Sequence, residues 1–368
     1  MTFLSKKDSI FAAISDNQPF IFMRKFKKST RIILSASALC LFALIAICCY
    51  FYHIAYSPNF NNNKTVYIYI DKEMTFDGLC RQLADSANCE SVVSFRRVAS
   101  LLKYPDNMKT GCYAIEPSVD NLSLVRDLRS GHQHAITVTF NNIRTKDNLI
   151  EALDKRLMLT SGELEGFLND SVWCASMGFN TETISTMFIP NTYEVYWNTS
   201  AKNFMNRMKK EYDRFWNDSR KAKAKKIGMS PVEVAILASI VEEETAAYDE
   251  YPVVAGLYIN RLKRNIPLQA DPTVKFAWGD FTLQRILFSH LEIDSPYNTY
   301  KHTGLPPGPL RIPSIKGLDA VLNYQKHSYL YMCAKEDLSG RHNFAKTLAE
   351  HSRNAKKYQA ELSRRKIK

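Results

Sequence analysis

Hydrophobic positions along the chain fall into three successive patterns. Residues 32–52 form an apolar run without a charged side chain, long enough to cross the hydrocarbon core of a bilayer as one helix. Residues 64–71 alternate apolar and polar positions, as a half-buried strand does. Residues 234–241 are apolar on nearly every side of a predicted helix, which indicates a buried helix. The chain therefore combines one membrane segment with folded units that follow it.

A small α+β unit is predicted for residues 64–133. Its sequence pattern predicts a strand at 64–71, helices at 75–86 and 91–103, a second strand at 109–115 and a third helix at 121–130. Gly131 suits the C-cap of the last of these helices. Residues 53–63 contain Pro and several Asn residues, which predicts a polar linker between the membrane segment and this unit.

A larger mixed α+β domain is predicted for residues 134–360. It opens with a strand at 135–140, continues mainly as helices over 145–230, and contains an aromatic segment at 188–197 that suits a strand or a loop lining a cleft. Later in the chain, helices are predicted at 251–264 and 315–325, a strand at 329–333, and a turn into the final helix at 340–344. Residues 296–309 are rich in Pro, Gly, Asn and Tyr, which suits either a groove for a polysaccharide or an ordinary connection.

The net charge of +12 is concentrated at the two ends of the chain. Residues 1–31 carry a net +5 and residues 353–368 a net +6, with a basic tail at 361–368. No basic stripe crosses the folded part, so we expect no nucleic-acid binding. The positive-inside rule predicts a single-pass protein of the inner (cytoplasmic) membrane, with residues 1–31 in the cytoplasm and the folded units in the periplasm. The apolar run is too long for a cleaved signal peptide, which favours an anchor.

Cysteine and histidine spacings predict no metal site and no cofactor. Three of the eight cysteines lie in the apolar run. Cys80 and Cys89 could form a disulfide in an oxidising compartment or remain free thiols. The sequence contains neither a phosphate-binding glycine loop nor a Gly-x-Ser-x-Gly motif.

Glu244 is the candidate for acid–base chemistry. It ends a helix that begins with strong signals, because Ser230 can cap it, Pro231 suits its first position, and Glu233 completes a capping box. On this helix Glu244 shares a face with Val241, Ile240 and Leu237. A carboxyl group on an apolar face loses hydration and its pKa rises, which makes it a general acid near neutral pH. The alternative is an acidic helix end on a solvated surface.

Five segments follow one another along the chain: Ala238–Thr245 (ASIVEEET), Tyr258–Leu262 (YINRL), Leu268–Val274 (LQADPTV), the loop formed by Tyr297–Tyr300 and Gly304–Gly308, and His342–Phe344 with Glu350 and His351. In this order they resemble segments of the endolytic murein transglycosylase family, also called YceG-like. The chain departs from the family pattern at two informative places. Glu243 stands where the family often has a basic residue, and Asn191 replaces a usual acidic residue.

The resemblance implies an anchor, a small LysM-like βααβ unit and a catalytic domain with a glycan groove. The implied activity is that of a lytic transglycosylase, a lyase that cleaves the MurNAc-β-1,4-GlcNAc bond of peptidoglycan without water. The family's catalytic glutamate falls on Glu244, which would protonate the leaving oxygen and then take the proton of the muramyl C6 hydroxyl. That hydroxyl closes a 1,6-anhydro ring and so ends a nascent glycan strand, which makes glycan synthases natural partners.

Six further side chains are candidates for orienting the sugars, although each could instead serve as loop scaffold: Glu242, Gln269, Asp271, Asn298, Tyr300 and His342. Two other functions stay open. A membrane-anchored scaffold could bind peptidoglycan without cutting it, and this function would need the aromatic loop but no acid. A retaining or inverting hydrolase would need a second carboxylate about 5–10 Å from Glu244, for which Asp271 and Glu242 are the candidates.

Overall fold

The computed structural model describes residues 28–139, 143–283 and 285–365, and it confirms a mixed α+β chain with an apolar N-terminal helix. Within these described ranges, three two-stranded antiparallel sheets are distributed among the helices. Three sequence predictions lie wholly or partly outside the described residues. They are the cytoplasmic arm up to residue 27, residue 140 of the predicted strand, and residues 366–368 of the basic tail.

The first helix, α1, spans Lys28–Tyr56 and contains the apolar stretch Ile32–Tyr56. With a rise of 1.5 Å per residue, this stretch is about 37 Å long, and a bilayer core is about 30 Å thick. The helix is therefore long and apolar enough to span a membrane.

The small unit follows with β1 (Val66–Ile70), α2 (Phe76–Ser86), α3 (Val92–Leu101), β2 (Gly111–Ile115) and α4 (Asn121–Ser130). β1 and β2 are antiparallel, with Val66 opposite Ile115. Each helix begins where the sequence offers a cap, because the side chains of Thr75, Ser91 and Asp120 accept backbone N–H groups of the first turn. Gly131 ends α4 in the left-handed conformation, with φ of 78°.

Residues 53–63 differ from the predicted linker. The last turn of α1 includes residues 53–56, and Phe60 is fully buried in the core of the small unit. The side chain of Asn59 donates to the carbonyl of Ser91 at 3.1 Å and to Oδ1 of Asn121 at 2.7 Å. The polar composition of residues 53–63 suggested a solvated segment, but the Asn59 side chain satisfies backbone and side-chain groups of the folded unit.

The larger unit begins with β3 (Ala135–Thr139), which pairs antiparallel with β4 (Thr192–Tyr196). Five helices belong to this part of the chain: α5 (Lys146–Asp154), α6 (Ser161–Asn169), α7 (Ser171–Ser176), α8 (Ala201–Phe215) and α9 (Asp218–Ile227). The remaining elements are α10 (Pro231–Glu244), α11 (Tyr251–Lys263), α12 (Asp271–Trp278), α13 (Ile315–Leu322), β5 (Tyr331–Ala334), β6 (His342–Ala345) and α14 (Leu348–Arg364).

Two of these elements were not predicted. α12 lies between the predicted helix at 251–264 and the Pro- and Gly-rich segment at 296–309, and Pro272 stands in the first turn of the helix, where proline is tolerated. β6 occupies most of the predicted turn at 340–344, because the chain turns over residues 335–341, where Leu338 and Gly340 have φ of 58° and 74°, and then pairs with β5. Met332 stands opposite Phe344 in that pair, which brings the C-terminal region back against the rest of the unit.

α10 lies at the centre of the larger unit. Every residue from Val234 to Val241 is buried, and the helix packs between α11, α12 and α13. The predicted capping box is present, with Glu233 accepting the N–H of Ser230 at 2.7 Å and Ser230 accepting the N–H of Glu233 at 3.2 Å. The helix ends at Glu244, because Thr245 is extended. This burial fixes the position of the carboxylates at its C-terminal end.

Candidate functional site

A pocket of about 430 Å³ opens at the C-terminal end of α10. Its walls come from α10, α11, the segment that leads into α12, the β5–β6 hairpin and α14. The polar and aromatic side chains in the wall are Glu244, Tyr258, Arg261, Gln269, Asp271, Tyr300, Tyr331, His342 and His351.

Glu244 is half-buried in this pocket and accepts a hydrogen bond of 2.5 Å from the hydroxyl of Tyr258 to its Oε1. Loss of hydration raises the pKa of Glu244 to about 7. The Tyr258 bond and the positive charge of Arg261 lower this pKa, whereas the negative charges of Asp271 and Glu243 raise it. A carboxyl group with a pKa near 7 can both donate and accept a proton at neutral pH.

The carboxylates of Glu242 and Glu243 have different surroundings from that of Glu244, because successive helical residues point about 100° apart. Glu243 receives two hydrogen bonds from Arg144, at 2.7 and 2.8 Å, and one from Arg311 at 3.1 Å. Two arginines therefore neutralise the Glu243 carboxylate.

The Glu242 carboxylate is buried beside the N-terminus of α13. Its Oε1 accepts the backbone N–H of Ser314 at 3.0 Å and the hydroxyl of the same residue, and Arg311 lies 3.6 Å from its Oε2. Burial raises the pKa of Glu242, and the Ser314 bonds and Arg311 oppose that rise. Glu242 thus fastens α10 to α13.

Asp271 and Tyr300 form the side of the pocket next to α12. The hydroxyl of Tyr300 donates to Oδ1 of Asp271 at 2.5 Å. Gln269 precedes them in the left-handed conformation, with φ of 49°, and its backbone N–H donates to the carbonyl of Thr299 at 3.1 Å. The chain therefore bends sharply at Gln269 and brings its side chain into the wall of the pocket.

Arg261 is buried and holds two sides of the pocket together. It donates to the carbonyl of Leu330 at 2.7 Å on one side, and to the carbonyl of Leu268 at 2.7 Å and Oε1 of Gln269 at 3.3 Å on the other. A buried guanidinium is stabilised only when its donors are satisfied, and these acceptors meet that need.

His342 is oriented by Glu250, a buried residue just before α11. Its ring Nδ1 lies 2.9 Å from Oε2 of Glu250, and its backbone N–H donates to Oε1 at 3.0 Å. The hydroxyl of Thr245 donates to the same Oε2 at 3.1 Å. Because Nδ1 is engaged, the other ring nitrogen is the one available to the pocket.

The structure brings five of the seven predicted site residues together around one pocket, namely Glu244, Gln269, Asp271, Tyr300 and His342. Glu242 and Asn298 lie outside it. Asn298 is fully buried, and its amide donates to the carbonyls of Leu291 at 2.8 Å and Ile293 at 3.0 Å. Its Oδ1 accepts the N–H of Tyr300 at 3.0 Å, so its contacts stabilise the loop that carries Tyr300.

Sequence reasoning assigned no site role to Tyr258, Arg261, Glu250 or His351, although the family-like segments contain all but Glu250. The three-residue spacing of Tyr258 and Arg261 places both on one face of α11, which was the available signal. Glu250 and His342 are separated by 92 positions and pair only through the fold. His351 stacks on Tyr331 with ring centroids 5.6 Å apart, and burial lowers the pKa of its imidazole.

Within the described ranges, no group of three or more His, Cys, Asp or Glu side chains could hold a metal ion. All eight cysteines are free thiols, so the Cys80–Cys89 pair is not bonded in this structure. Cys333 lines the pocket, and burial raises the pKa of its thiol. The pocket also presents carboxyl, phenol, imidazole and guanidinium groups.

These features define a mixed α+β protein with an apolar N-terminal helix and a carboxyl group of raised pKa in a polar and aromatic pocket. Residues 68–357 match the model of the YceG-like family, and the chain belongs to that family. A search of solved structures finds a putative yceG-like protein from Listeria monocytogenes, with a TM-score of 0.50 and 25% sequence identity. This match covers 79% of the present chain and 99% of the other.

Curated relatives include an endolytic murein transglycosylase of Bacillus subtilis (strain 168), 42% identical over 141 residues, which are 38% of each chain. Another is an endolytic murein transglycosylase of Streptococcus pneumoniae (strain R6), 25% identical over 328 residues. That alignment covers 80% of this chain and 58% of the relative. The chain thus spans well under two thirds of the length of the curated relatives it matches.

Proposed function

We propose that the protein is a membrane-anchored lytic transglycosylase that cleaves peptidoglycan inside the glycan strand. The names of the curated relatives support a murein substrate, and the pocket supports acid–base chemistry on it. The reaction breaks the MurNAc-β-1,4-GlcNAc bond and leaves a 1,6-anhydro-MurNAc end. Glu244 is the proposed catalytic residue.

The observation that carries this proposal is the environment of Glu244. Its protonated carboxyl gives a proton to the glycosidic oxygen as the bond to the muramyl C1 breaks. The resulting carboxylate then takes the proton of the C6 hydroxyl, whose oxygen attacks C1. A pKa of about 7 lets one group perform both transfers at neutral pH, and the proton count balances over the cycle.

Tyr258 and Arg261 support the charged form of Glu244 between the two transfers. The hydroxyl of Tyr258 donates to Oε1 throughout, and the guanidinium charge lowers the energy of the carboxylate. Asp271, Gln269, Tyr300 and His342 offer acceptors, donors and an aromatic face to sugar hydroxyl and N-acetyl groups. We propose these four as substrate-contacting residues, and Glu242 and Asn298 as residues that hold the site in place.

A hydrolase is the second candidate, because Asp271 places another carboxylate in the same pocket. Its negative charge raises the pKa of Glu244. In a hydrolase Asp271 would activate water or attack C1. We favour the transglycosylase, because the curated relatives are named as murein transglycosylases.

The membrane arrangement is part of the same proposal. The chain would lie in the cytoplasmic membrane with α1 as a single-pass anchor, its N-terminal arm in the cytoplasm and the pocket on the outer side. A cutter tethered there would act on strands that glycan synthases are still extending. The small unit between anchor and pocket is proposed as LysM-like.

The proposal is tested by digesting intact murein with the full chain and with the Glu244→Gln variant. Gln keeps the size of the side chain but cannot donate the proton, so anhydro-ended fragments should fall at least about 100-fold. Glu233→Gln is the matched control, because it makes the same change at the exposed first turn of α10, where Gln also fits a capping box. Undiminished anhydro products from Glu244→Gln, with normal products from the control, would remove Glu244 from the mechanism.

A further inference from the structure

The small unit is joined to α1 without a flexible spacer. The side chain of Asn121, at the start of α4, donates to the carbonyl of Ile54 at 2.9 Å. Ile54 and Ala55 pack against the core of the small unit. Asn121 is itself buried and also binds Asn59, which follows α1. The last turn of α1 is therefore part of the small unit, and a bilayer around α1 fixes the height of that unit.

The position of Tyr50 along α1 indicates the height of the small unit above the bilayer. Tyr50 stands 18 residues after Ile32, which is about 27 Å along a helix with a rise of 1.5 Å per residue. The hydrocarbon core is about 30 Å thick, so Tyr50 lies close to its outer boundary. Phe51, Tyr52 and Tyr56 are exposed at the same end of α1, as in an interfacial aromatic belt.

Helix α3 reaches down to this level. The guanidinium carbon of Arg97 lies 5.6 Å from the ring centroid of Tyr50. Arg97 makes no ion pair with any residue that the structure describes. A cation held beside Tyr50 stands at the depth of the phospholipid headgroups.

The outward face of α3 has the composition of an interfacial helix. Val93 and Leu101 lie four residues, about one helical turn, before and after Arg97, and their side chains are 60% and 64% exposed. Residues 57–133 carry nine basic and nine acidic side chains, yet α3 carries two arginines and no acidic residue. Arg96 is paired with Asp77 at 2.6 Å, which leaves Arg97 as the cation of the outward face.

We infer that the Val93–Arg97–Leu101 face of α3 docks onto the outer surface of the bilayer. Arg97 binds the phosphate of a phospholipid, and Val93 and Leu101 enter the boundary between headgroups and acyl chains. The surface is continuous with α1, so the occupant is the lipid that already surrounds the anchor. The inference rests on the proposed anchoring and is independent of the catalytic role of Glu244.

Docking through α3 would hold the small unit at a fixed distance from the membrane. Tyr67 and Tyr69 point to the other face of the β1–β2 sheet, because Ile68 and Ile70 are the buried positions of β1. Tyr69 contacts Trp197 of the larger unit, with ring centroids 5.1 Å apart. The larger unit is therefore attached on the side of the sheet that faces away from the proposed lipid surface.

The test places a tryptophan on each side of the small unit in the full chain. Val93→Trp and Leu101→Trp report on the lipid face, and Tyr67→Trp is the matched control on the opposite face of the sheet. The chains are reconstituted into vesicles of phosphatidylcholine and phosphatidylglycerol that contain a headgroup-spin-labelled lipid as quencher. The unsubstituted chain supplies the background of the four native tryptophans.

We expect the lipid to quench the added tryptophan several-fold more strongly in Val93→Trp and Leu101→Trp than in Tyr67→Trp. Combining either lipid-face variant with Arg97→Glu should reduce that quenching. Equal quenching in all three variants, in chains that float with the vesicles, overturns the docking surface and leaves the anchor intact. Chains that fail to float overturn the anchor and the docking surface together. Murein digestion by Glu244→Gln is unaffected by any of these outcomes.

Discussion

Replacing Tyr258 by Phe removes one oxygen from the candidate site and should move the pH dependence of cleavage. The Tyr258 hydroxyl donates to Glu244 at 2.5 Å, and this bond lowers the pKa of the carboxyl. Without it, the charged form of Glu244 loses more stabilisation than the protonated form. The pKa of Glu244 should therefore rise above its value of about 7.

The size of the shift follows from the two protonation states. A hydrogen bond to a charged group contributes about 1.5–3 kcal/mol and one between neutral groups about 0.5–1.5 kcal/mol. The difference is about 1–1.5 kcal/mol, which corresponds to roughly one pKa unit. The protonated acid would then persist to about pH 8, and the alkaline limb of kcat/KM should move up by roughly one unit.

The assay follows the release of soluble fragments from murein across the pH range for three chains: the unsubstituted protein, Tyr258→Phe and Tyr251→Phe. Tyr251 is the matched control, because it is buried at the start of the same helix but does not line the pocket. Its substitution should leave the alkaline limb in place. An alkaline limb that stays unchanged or moves to lower pH in Tyr258→Phe would refute the assigned environment of Glu244.

Three further predictions concern stability. Asn298→Ala should lower the free energy of unfolding by roughly 2–4 kcal/mol, because it leaves buried carbonyls and an N–H without a partner. A changed KM with an unchanged melting temperature would contradict this structural role. Gly317→Ala should lower the free energy of unfolding by about 1–3 kcal/mol, since a Cβ there overlaps the Glu242 side chain. Urea denaturation measures this change, and an unchanged midpoint would contradict the prediction. The pKa of Glu244 is raised from 4.5 to about 7 in the folded state, so this group alone should lower the free energy of unfolding by roughly 3 kcal/mol as pH rises through that interval. Urea titrations at the two ends of the interval should show no such decrease for Glu244→Gln. A pH dependence of the free energy of unfolding equal to that of the unsubstituted chain would refute the raised pKa of Glu244.

The parts of the fold that the sequence predicted are those set by local signals. The capping box of Ser230 and Glu233 and the left-handed Gly131 need only a few neighbouring residues, and both are present. The strand β1 follows from the alternation of apolar and polar positions. Helix α12 was not predicted, although Pro272 in its first turn is a helix start signal.

The parts that could not be predicted depend on contacts between distant segments. Asn59 and Phe60 lie in a segment of linker composition, but the core of the small unit includes Phe60 and the Asn59 amide binds across it. Glu250 reaches His342 only after β6 folds back onto the unit. Composition carries no information on such pairs, because their geometry arises from tertiary packing.

The candidate site shows the same division. The apolar helix face and the motif position pointed to Glu244, and the loop motifs pointed to Gln269, Asp271, Tyr300 and His342. The same motifs also included Glu242 and Asn298, whose side chains turn away from the pocket. A motif identifies which residues matter, but which of them face the pocket and which support it depends on helix rotation and loop path.

The most direct test of the account is the chemical identity of the new end that the full chain creates in murein. Digestion in water enriched in heavy oxygen, followed by mass spectrometry, separates an internal ring closure from attack by water. The account predicts 1,6-anhydro-MurNAc ends that carry no heavy oxygen. Reducing ends that carry the label would contradict it and would assign the site to a hydrolase with Asp271 as its second carboxylate.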